Sequence, residues 1–295
     1  FIEMKRAVES VNCSLLISEC PTSSMKLRCN PADSLLRTLS TCVGNSVSLW
    51  ELENEGCRLL TSNSIQNKRG EDLRVDTMCL GASSRKGSSL LACGTNDLSL
   101  QIFESIREPG SCSLIQQTEF KNIHESYLND CQFLFSISGE YSVVTCSDDH
   151  TIRVWDVTAE GIYQEYRTKS VPISITTHKE MPGKFWVSEM DGTVKLYDKE
   201  SPSPICTLAA SSKSPFTQID WNNQSVDTIG GVDRDKWYVW NWRAGKLQAS
   251  AGTLCEASGF NWSYSHPNLF TVHSSSEVLL WDTDHLGIGC LQLQE

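Results

Sequence analysis

The chain has 295 residues, 39% of them hydrophobic and 21% charged, a composition that excludes an intrinsically disordered polymer and is ample for a buried core. Its formal net charge of -11 argues against broad binding to phosphate backbones or to anionic membrane surfaces, both of which need concentrated Lys and Arg. No apolar run approaches the roughly 20 residues of a membrane-spanning helix, so neither direct nucleic-acid binding nor membrane insertion is expected, and proteins are left as the default partners.

The opening stretch FIEMKRAVES lacks the apolar core of a signal peptide, and Phe1 in place of Met is what a trimmed piece of a longer chain would show. MKLRCNP (25–31) reads as a short strand, and SVSLW, ending at Trp50, alternates with the period of two that marks a half-buried strand. The polar run 61–76 then reads as an inserted loop. LLACG, the turn TND and LSLQIF to Phe103 repeat the pattern, and 105–122 reads as a second insertion. Next come LNDCQFLFS, VVTCS, the turn DDH and TIRVW to Trp155, then PISITTHKE, FWVSE, the turn MDG and TVKLY to Tyr197. FTQIDWN and WYVW lead to Trp240, and SGFNWSYS, LFTVH, SSS and EVLLW lead to Trp281.

The steps between successive aromatics are 53, 52, 42, 43 and 41 residues. The last three fall in the range of about 40–45 expected of four-stranded propeller blades. Each repeat shows at least three strands with room for a fourth, and no segment carries a capped 3.6-residue apolar stripe. The expectation is an almost wholly β protein whose repeats complete one another's cores.

Asp148-Asp149-His150 could be a ligand cluster or a turn. No second histidine or acid cluster sits at ligand spacing, which favours the turn. His124-Glu125 begins like HExxH, but Leu128 occupies the second histidine position. There is no nucleophile elbow, phosphate loop or dinucleotide fingerprint. The 13 cysteines include no CxxC and are scattered from Cys13 to Cys290, as buried reduced thiols would be. No cofactor, metal or small-molecule substrate is expected. In DRDKWYVWNWR (233–243), Tyr238, Trp240 and Trp242 share one strand face and Trp237 lies on the other. Stacking of nucleic-acid bases on them is disfavoured by Asp233 and Asp235, which leaves core packing.

The stretch SDDHTIRVWD (147–156) resembles the signature end of a WD40 repeat, and the five other copies resemble degenerate ones. The resemblance implies an all-β, WD40-type β-propeller, a single domain over 1–295 with six recognisable blades. The family continues into a seventh blade, here missing or completed by residues 1–20. It further implies a hydrogen-bonded blade tetrad of His124, Ser147 (or Thr145), Asp149 and Trp155. Trp50, Phe103, Tyr197, Trp240 and Trp281 mark the register of the other blades. At the turn position the fourth blade keeps Asp191, whereas the fifth and sixth carry Arg234 and Ser275.

From about 140 to 287 the chain more closely resembles the small WD-repeat nucleoporins of the thirty-seven-kilodalton class, through VVTCSDDHTIRVWDVTAEG, MDGTVKLYD, GGVDRDKWYVWNW, PNLFTVHSS and DHLG. That likeness implies a non-enzymatic scaffold subunit of the Y-shaped outer-ring complex of the nuclear pore, at the nuclear envelope. It would dock on a large helical-and-propeller nucleoporin and support pore assembly and nucleocytoplasmic transport of protein and mRNA. Trp240-Asn241-Trp242-Arg243 resembles a degraded W-D-x-R motif, which implies an alternative as substrate receptor of a cullin-type ubiquitin ligase. A propeller enzyme would need inward acids or histidines from several blades, which the sequence does not show.

Overall fold

A computed structural model describes residues 25–29, 38–53, 56–83, 85, 88–108, 111–135, 141–209, 214–253, 256–274, 277–284 and 291–293. The chain's contacts group it into two compact units, Phe1–Lys121 and Asn122–Glu295. Every element among the described residues is a strand.

The first unit holds two four-stranded antiparallel sheets. One runs β1 (Met25–Cys29), β2 (Thr38–Val43), β3 (Ser46–Glu53), β4 (Gly56–Ser64), and the other β5 (Val75–Ala82), β6 (Ser89–Thr95), β7 (Leu100–Glu108), β8 (Ser111–Phe120). The second unit holds four more. The third sheet is β9 (Leu128–Leu134), β10 (Ser142–Ser147), β11 (Thr151–Asp156) and β12 (Gly161–Arg167). The fourth is β13 (Pro172–Thr177), β14 (Lys184–Glu189), β15 (Thr193–Asp198) and β16 (Cys206–Ala209). The fifth is β17 (Gln218–Trp221), β18 (Thr228–Val232), β19 (Lys236–Asn241) and β20 (Lys246–Gly252). The sixth is β21 (Gly259–Trp262), β22 (Leu269–His273), β23 (Val278–Asp282) and β24 (Leu291–Leu293). Each sheet is a meander in chain order, so every repeat supplies the fourth strand for which the sequence left room.

The marker aromatics fall at one place in all six sheets. Each lies on the third strand and pairs with the second or third residue of the second strand: Leu39–Trp50, Leu91–Phe103, Val143–Trp155, Phe185–Tyr197, Ile229–Trp240 and Phe270–Trp281. In four sheets the pairing of third and fourth strands slips by one residue at that aromatic, at Trp50, Phe103, Trp155 and Trp240. The slip is a β-bulge, which bends the outer strand and adds local twist.

Burial follows strand position. The second strands β6 and β10 are buried along their whole length, which explains why LLACG and VVTCS read as unbroken apolar runs. Outer strands are more open: β20 is mostly exposed, and β12 has a single buried residue. In the second unit one core of Val144, Val154, Tyr166, Phe185 and Tyr197 joins the third sheet to the fourth. Another, of Trp186, Phe216, Trp221, Tyr238 and Trp240, joins the fourth to the fifth. A third, of Trp237, Phe260, Trp262 and Phe270, joins the fifth to the sixth. Trp237 and Tyr238 thus occupy opposite faces of β19, each inside a different inter-sheet core, as the packing reading of DRDKWYVWNWR requires.

Two expectations differ from the structure. Of residues 105–122, read as a loop, 105–108 are the end of β7 and 111–120 are the whole of β8. Outer strands face water, so their polar composition imitates a loop. Of 61–76, only 65–74 is irregular: Ile65 and Leu73 are buried anchors, and the Asn67 side chain accepts the N–H groups of Arg69 and Glu71 at 2.8 and 3.0 Å. Residues 1–20, the expected closing strand, and Ser275 lie outside the described residues.

Candidate functional site

The turn that joins β10 to β11 holds the best-preserved motif. His124, on the connection before β9, has a fully buried side chain. Its Nδ1 lies 2.9 Å from Asp149 Oδ2, and its Nε2 lies 2.8 Å from Thr145 Oγ1. Trp155 Nε1 donates to the same Thr145 oxygen at 2.9 Å. The donor inventory orders the chain: the indole N–H donates to Thr145, the Thr145 hydroxyl to His124 Nε2, and Nδ1–H to the carboxylate. The imidazole is then neutral. Burial is the main reason its pKa falls below the ordinary value, and it outweighs the attraction of Asp149. Burial pushes Asp149 upward, but hydrogen bonds from Thr151, the Glu125 N–H and His124 bring its carboxyl below the usual range.

The hydroxyl in this chain is therefore Thr145 and not Ser147. Ser147 Oγ donates to Ser126 O at 3.1 Å and accepts the Asp149 N–H at 3.2 Å. It braces the turn from its other side.

Asp148 and His150 take no part in chemistry of this kind. Asp148 accepts from Asn129 at 2.8 Å. His150 is exposed with φ 62°, in the left-handed region that a tight turn needs at this place. The same turn recurs as Asp97-Leu98-Ser99 and Asp191-Gly192-Thr193, with φ 60° at Leu98 and 81° at Gly192. In all three the acid accepts the N–H of the residue two positions on: Asp149 from Thr151 at 2.9 Å, Asp97 from Ser99 at 3.2 Å and Asp191 from Thr193 at 3.0 Å. Asp-Asp-His is thus a turn whose acid closes the loop. Among the described residues no three His, Cys, Asp or Glu side chains come together in a group that could hold a metal ion.

Other sheets keep fragments of the network. In the first sheet Trp50 Nε1 donates to Thr41 Oγ1 at 2.8 Å, the counterpart of Trp155 and Thr145. The fifth turn has Arg234 at the marker position, but the acid one residue earlier does the work. Asp233 Oδ1 accepts the N–H groups of Asp235 and Lys236 at 2.9 and 2.7 Å, and Asp233 Oδ2 accepts the Tyr238 hydroxyl at 3.2 Å. In the fourth sheet Glu189, fully buried, takes Lys195 Nζ at 2.6 Å and the Tyr197 hydroxyl at 3.4 Å. Burial, with this carboxylate, pushes the Tyr197 phenol well up. Asp97, Asp233 and Glu189 were not assigned these roles from sequence, although an acid within two residues of each turn is a visible signal.

A second network ties first strand to first strand across the second unit. Asp130 Oδ2 accepts the Ile175 N–H at 2.9 Å, and Thr176 Oγ1 accepts the Trp221 N–H at 3.0 Å. Asp220 Oδ2 in turn accepts the Trp262 N–H at 2.8 Å. Side chains of β9, β13 and β17 thereby satisfy edge amides of β13, β17 and β21. These carboxylates, at the innermost strands, are consumed by structure.

The degraded W-D-x-R stretch is also internally engaged. Asn241 Oδ1 accepts the Ala244 N–H at 2.9 Å, the service that Asp156 performs for Thr158 and Ala159 at 2.8 and 2.9 Å. Arg243 lies over the Trp242 ring and pairs with Asp227 at 3.0 Å.

Repeated four-stranded meanders, Asp-closed turns and a Trp–Thr–His–Asp chain are the features of a WD-repeat protein, and the chain resembles that class. No protein-family model matches it. Among curated proteins it is similar to the nucleoporin Nup37 of Mus musculus, 26% identical over 197 residues, covering 65% of this chain and 57% of that protein. Nup37 of Homo sapiens is 25% identical over 198 residues with the same coverage. The target of rapamycin complex subunit wat1 of Schizosaccharomyces pombe is 23% identical over 216 residues, 73% of this chain and 62% of that one. The chain thus spans 57% of the length of the Nup37 proteins it matches. Among solved structures, Raptor of Chaetomium thermophilum superposes with a TM-score of 0.72 at 16% identity, over 94% of this chain and 25% of that one, a likeness of fold alone.

Proposed function

We propose that the chain is a non-enzymatic WD-repeat scaffold, its sheets arranged as blades of one propeller, acting as a nucleoporin of the outer ring of the nuclear pore. The observation that carries this reading is the similarity to Nup37 over 65% of the chain, supported by the six repeated sheets. The mechanism is rigid presentation. Blade turns locked by Asp97, Asp149, Asp191 and Asp233 hold exposed loops and edges in fixed positions, against which a large protein partner packs. The partner proposed is a large helical-and-propeller nucleoporin at the nuclear envelope.

A second reading rests on the match to wat1 over 73% of the chain, which favours a subunit of a target of rapamycin complex. Purification of the tagged protein from native extract at low salt, with mass spectrometry of stoichiometric partners, separates them. Outer-ring nucleoporins support the first reading, target of rapamycin components the second, and a cullin adaptor would overturn both.

A further inference from the structure

β20 is the outermost strand of the fifth sheet, paired with β19, and no described strand lies along its other edge. Thr253 N–H donates to Asp235 O at 2.7 Å, and the register pairs Trp237 with Ala251 and Tyr238 with Ser250. Antiparallel bonding alternates along a strand, so the N–H and C=O groups of Ser250 and Gly252 turn away from β19, toward the free edge.

An open edge is a template for another strand, and proteins blunt it with charge, proline, brevity or cover. Four of the five other outer strands use these devices. β12 carries Glu165 and Arg167, paired at 3.3 Å. β16 has four residues and follows Pro202 and Pro204 closely, and β24 has three. β8 has its Leu114 carbonyl reached by Asn63 at 3.4 Å. β20, by contrast, is seven residues of KLQASAG, exposed at five of the seven and half-buried at Ala249 and Ala251, with its single charge at the first residue.

Charge selects the occupant. The hairpin 234–252 carries Arg234, Lys236, Arg243 and Lys246 against Asp235 alone, in a chain of net charge -11. Arg234 and Arg243 pair with Glu256 and Asp227 at 3.4 and 3.0 Å. Lys236, opposite Gly252, and Lys246, opposite Asn241, flank the two ends of the edge. Both are exposed and make no ion pair with described residues. A second copy laid antiparallel on this edge would bring Lys246 toward Lys236 of its mate, like charge on like, which disfavours self-pairing.

We propose that the free edge of β20 docks an acidic, extended segment of a partner protein, which adds as a fifth strand to the fifth sheet. The main-chain groups of Ser250 and Gly252 supply the hydrogen bonds, and Lys236 and Lys246 meet the segment's carboxylates. The inference stands whichever assembly the chain joins.

The test uses the full chain and a labelled eight-residue peptide in which Asp and Glu alternate with Val and Thr, followed by fluorescence anisotropy, with hydrogen exchange at β20. The acidic probe binds and protects the Ser250 and Gly252 amides, while the same peptide with Lys for its acids does not. Ser250→Pro, which removes an outward N–H and leaves the ladder to β19 intact, weakens binding about tenfold or more, and Ser250→Ala leaves it unchanged. Lys236→Glu with Lys246→Glu, at exposed positions that preserve the fold, reverses the preference between the two peptides. No binding of the acidic probe, binding indifferent to Ser250→Pro and to the charge reversal, or a concentration-dependent dimer through β20 in sedimentation would each overturn the proposal.

Discussion

Thr145→Val isolates the polar chain of the third sheet. Valine keeps the shape of threonine and removes only the hydroxyl. Thr145 is fully buried and Trp155 is 5% exposed, so water cannot replace the lost oxygen without disrupting the core. Two groups lose their partner at once, the Trp155 indole N–H at 2.9 Å and His124 Nε2 at 2.8 Å. A buried polar group left unsatisfied costs about 1–3 kcal/mol, which gives a loss of about 3 kcal/mol for the pair.

Thr145→Ser retains the hydroxyl and costs about 1 kcal/mol for the missing methyl. Ser147→Ala removes longer bonds, at 3.1 and 3.2 Å, and also costs about 1 kcal/mol. Urea unfolding followed by tryptophan fluorescence gives the three values from midpoint and slope. The expected order is Thr145→Val well below Thr145→Ser and Ser147→Ala. A Ser147→Ala loss equal to that of Thr145→Val, or a Thr145→Val loss under about 0.5 kcal/mol, would falsify the assignment of Thr145 as the hydroxyl of the chain.

Asp220→Ala strips the acceptor from the Trp262 amide and should cost about 1–3 kcal/mol, with faster hydrogen exchange at Trp262; unchanged exchange there contradicts the inner-strand network. A Cβ on Gly230 would lie 2.2 Å from the Phe260 ring, so Gly230→Ala should cost about 1–3 kcal/mol through overpacking. Gly44, at φ +61° with nothing within 4 Å of a Cβ, should lose only about 1 kcal/mol on substitution by alanine, and the reverse order in thermal melts sinks the argument. Burial lowers the pKa of both His124 and His178 from 6.5. The unfolded chain takes up these protons first, so their contribution is present above about pH 6.5 and is lost as pH falls through the folded values. Urea midpoints should drop between pH 7 and pH 5, and His178→Gln should remove part of that slope; an identical slope in the variant counts against a buried neutral His178.

The register of the fold was legible because it rests on period two. Trp50, Phe103, Trp155, Tyr197, Trp240 and Trp281 each oppose the second strand at the same place, and a strand cannot slip by one residue without turning its buried face outward. The choice between Thr145 and Ser147 was not legible, for the same reason. Two residues apart, they point to one face, and alternation cannot rank them. The ranking comes from the pairing of β10 with β11: Trp155 lies opposite Val143, so Thr145 is one diagonal step from the indole and Ser147 two, a register that no pattern of residue types announces. The β7–β8 hairpin was hidden by water: its outward positions carry the Ser, Gln and Thr that also fill loops. Asp233 was hidden by its neighbour, since the marker position holds Arg234 and the working acid lies one residue upstream.

Degeneracy of the repeats and persistence of the fold have a common physical cause. The turn needs a carboxylate that can accept main-chain N–H groups and a residue tolerant of positive φ, and several residue types satisfy that. Asp97, Asp149 and Asp191 satisfy it from one position and Asp233 from another, while Leu98, His150 and Gly192 all adopt the required φ. Ring polar atoms also find different acceptors: Thr41 serves Trp50, Thr145 serves Trp155 and Asp233 serves Tyr238. In each solution the acid or hydroxyl is engaged by a donor within its own sheet. What drift leaves open is the outer strand, whose side chains touch little. β12, β16 and β20 differ in length, charge and exposure more than the second strands β10, β14 and β18 of the same sheets. Specificity for partners can therefore change at these edges without a change in the core, which is why the edge chemistry of β20, and not the signature turn, is where a partner would be chosen.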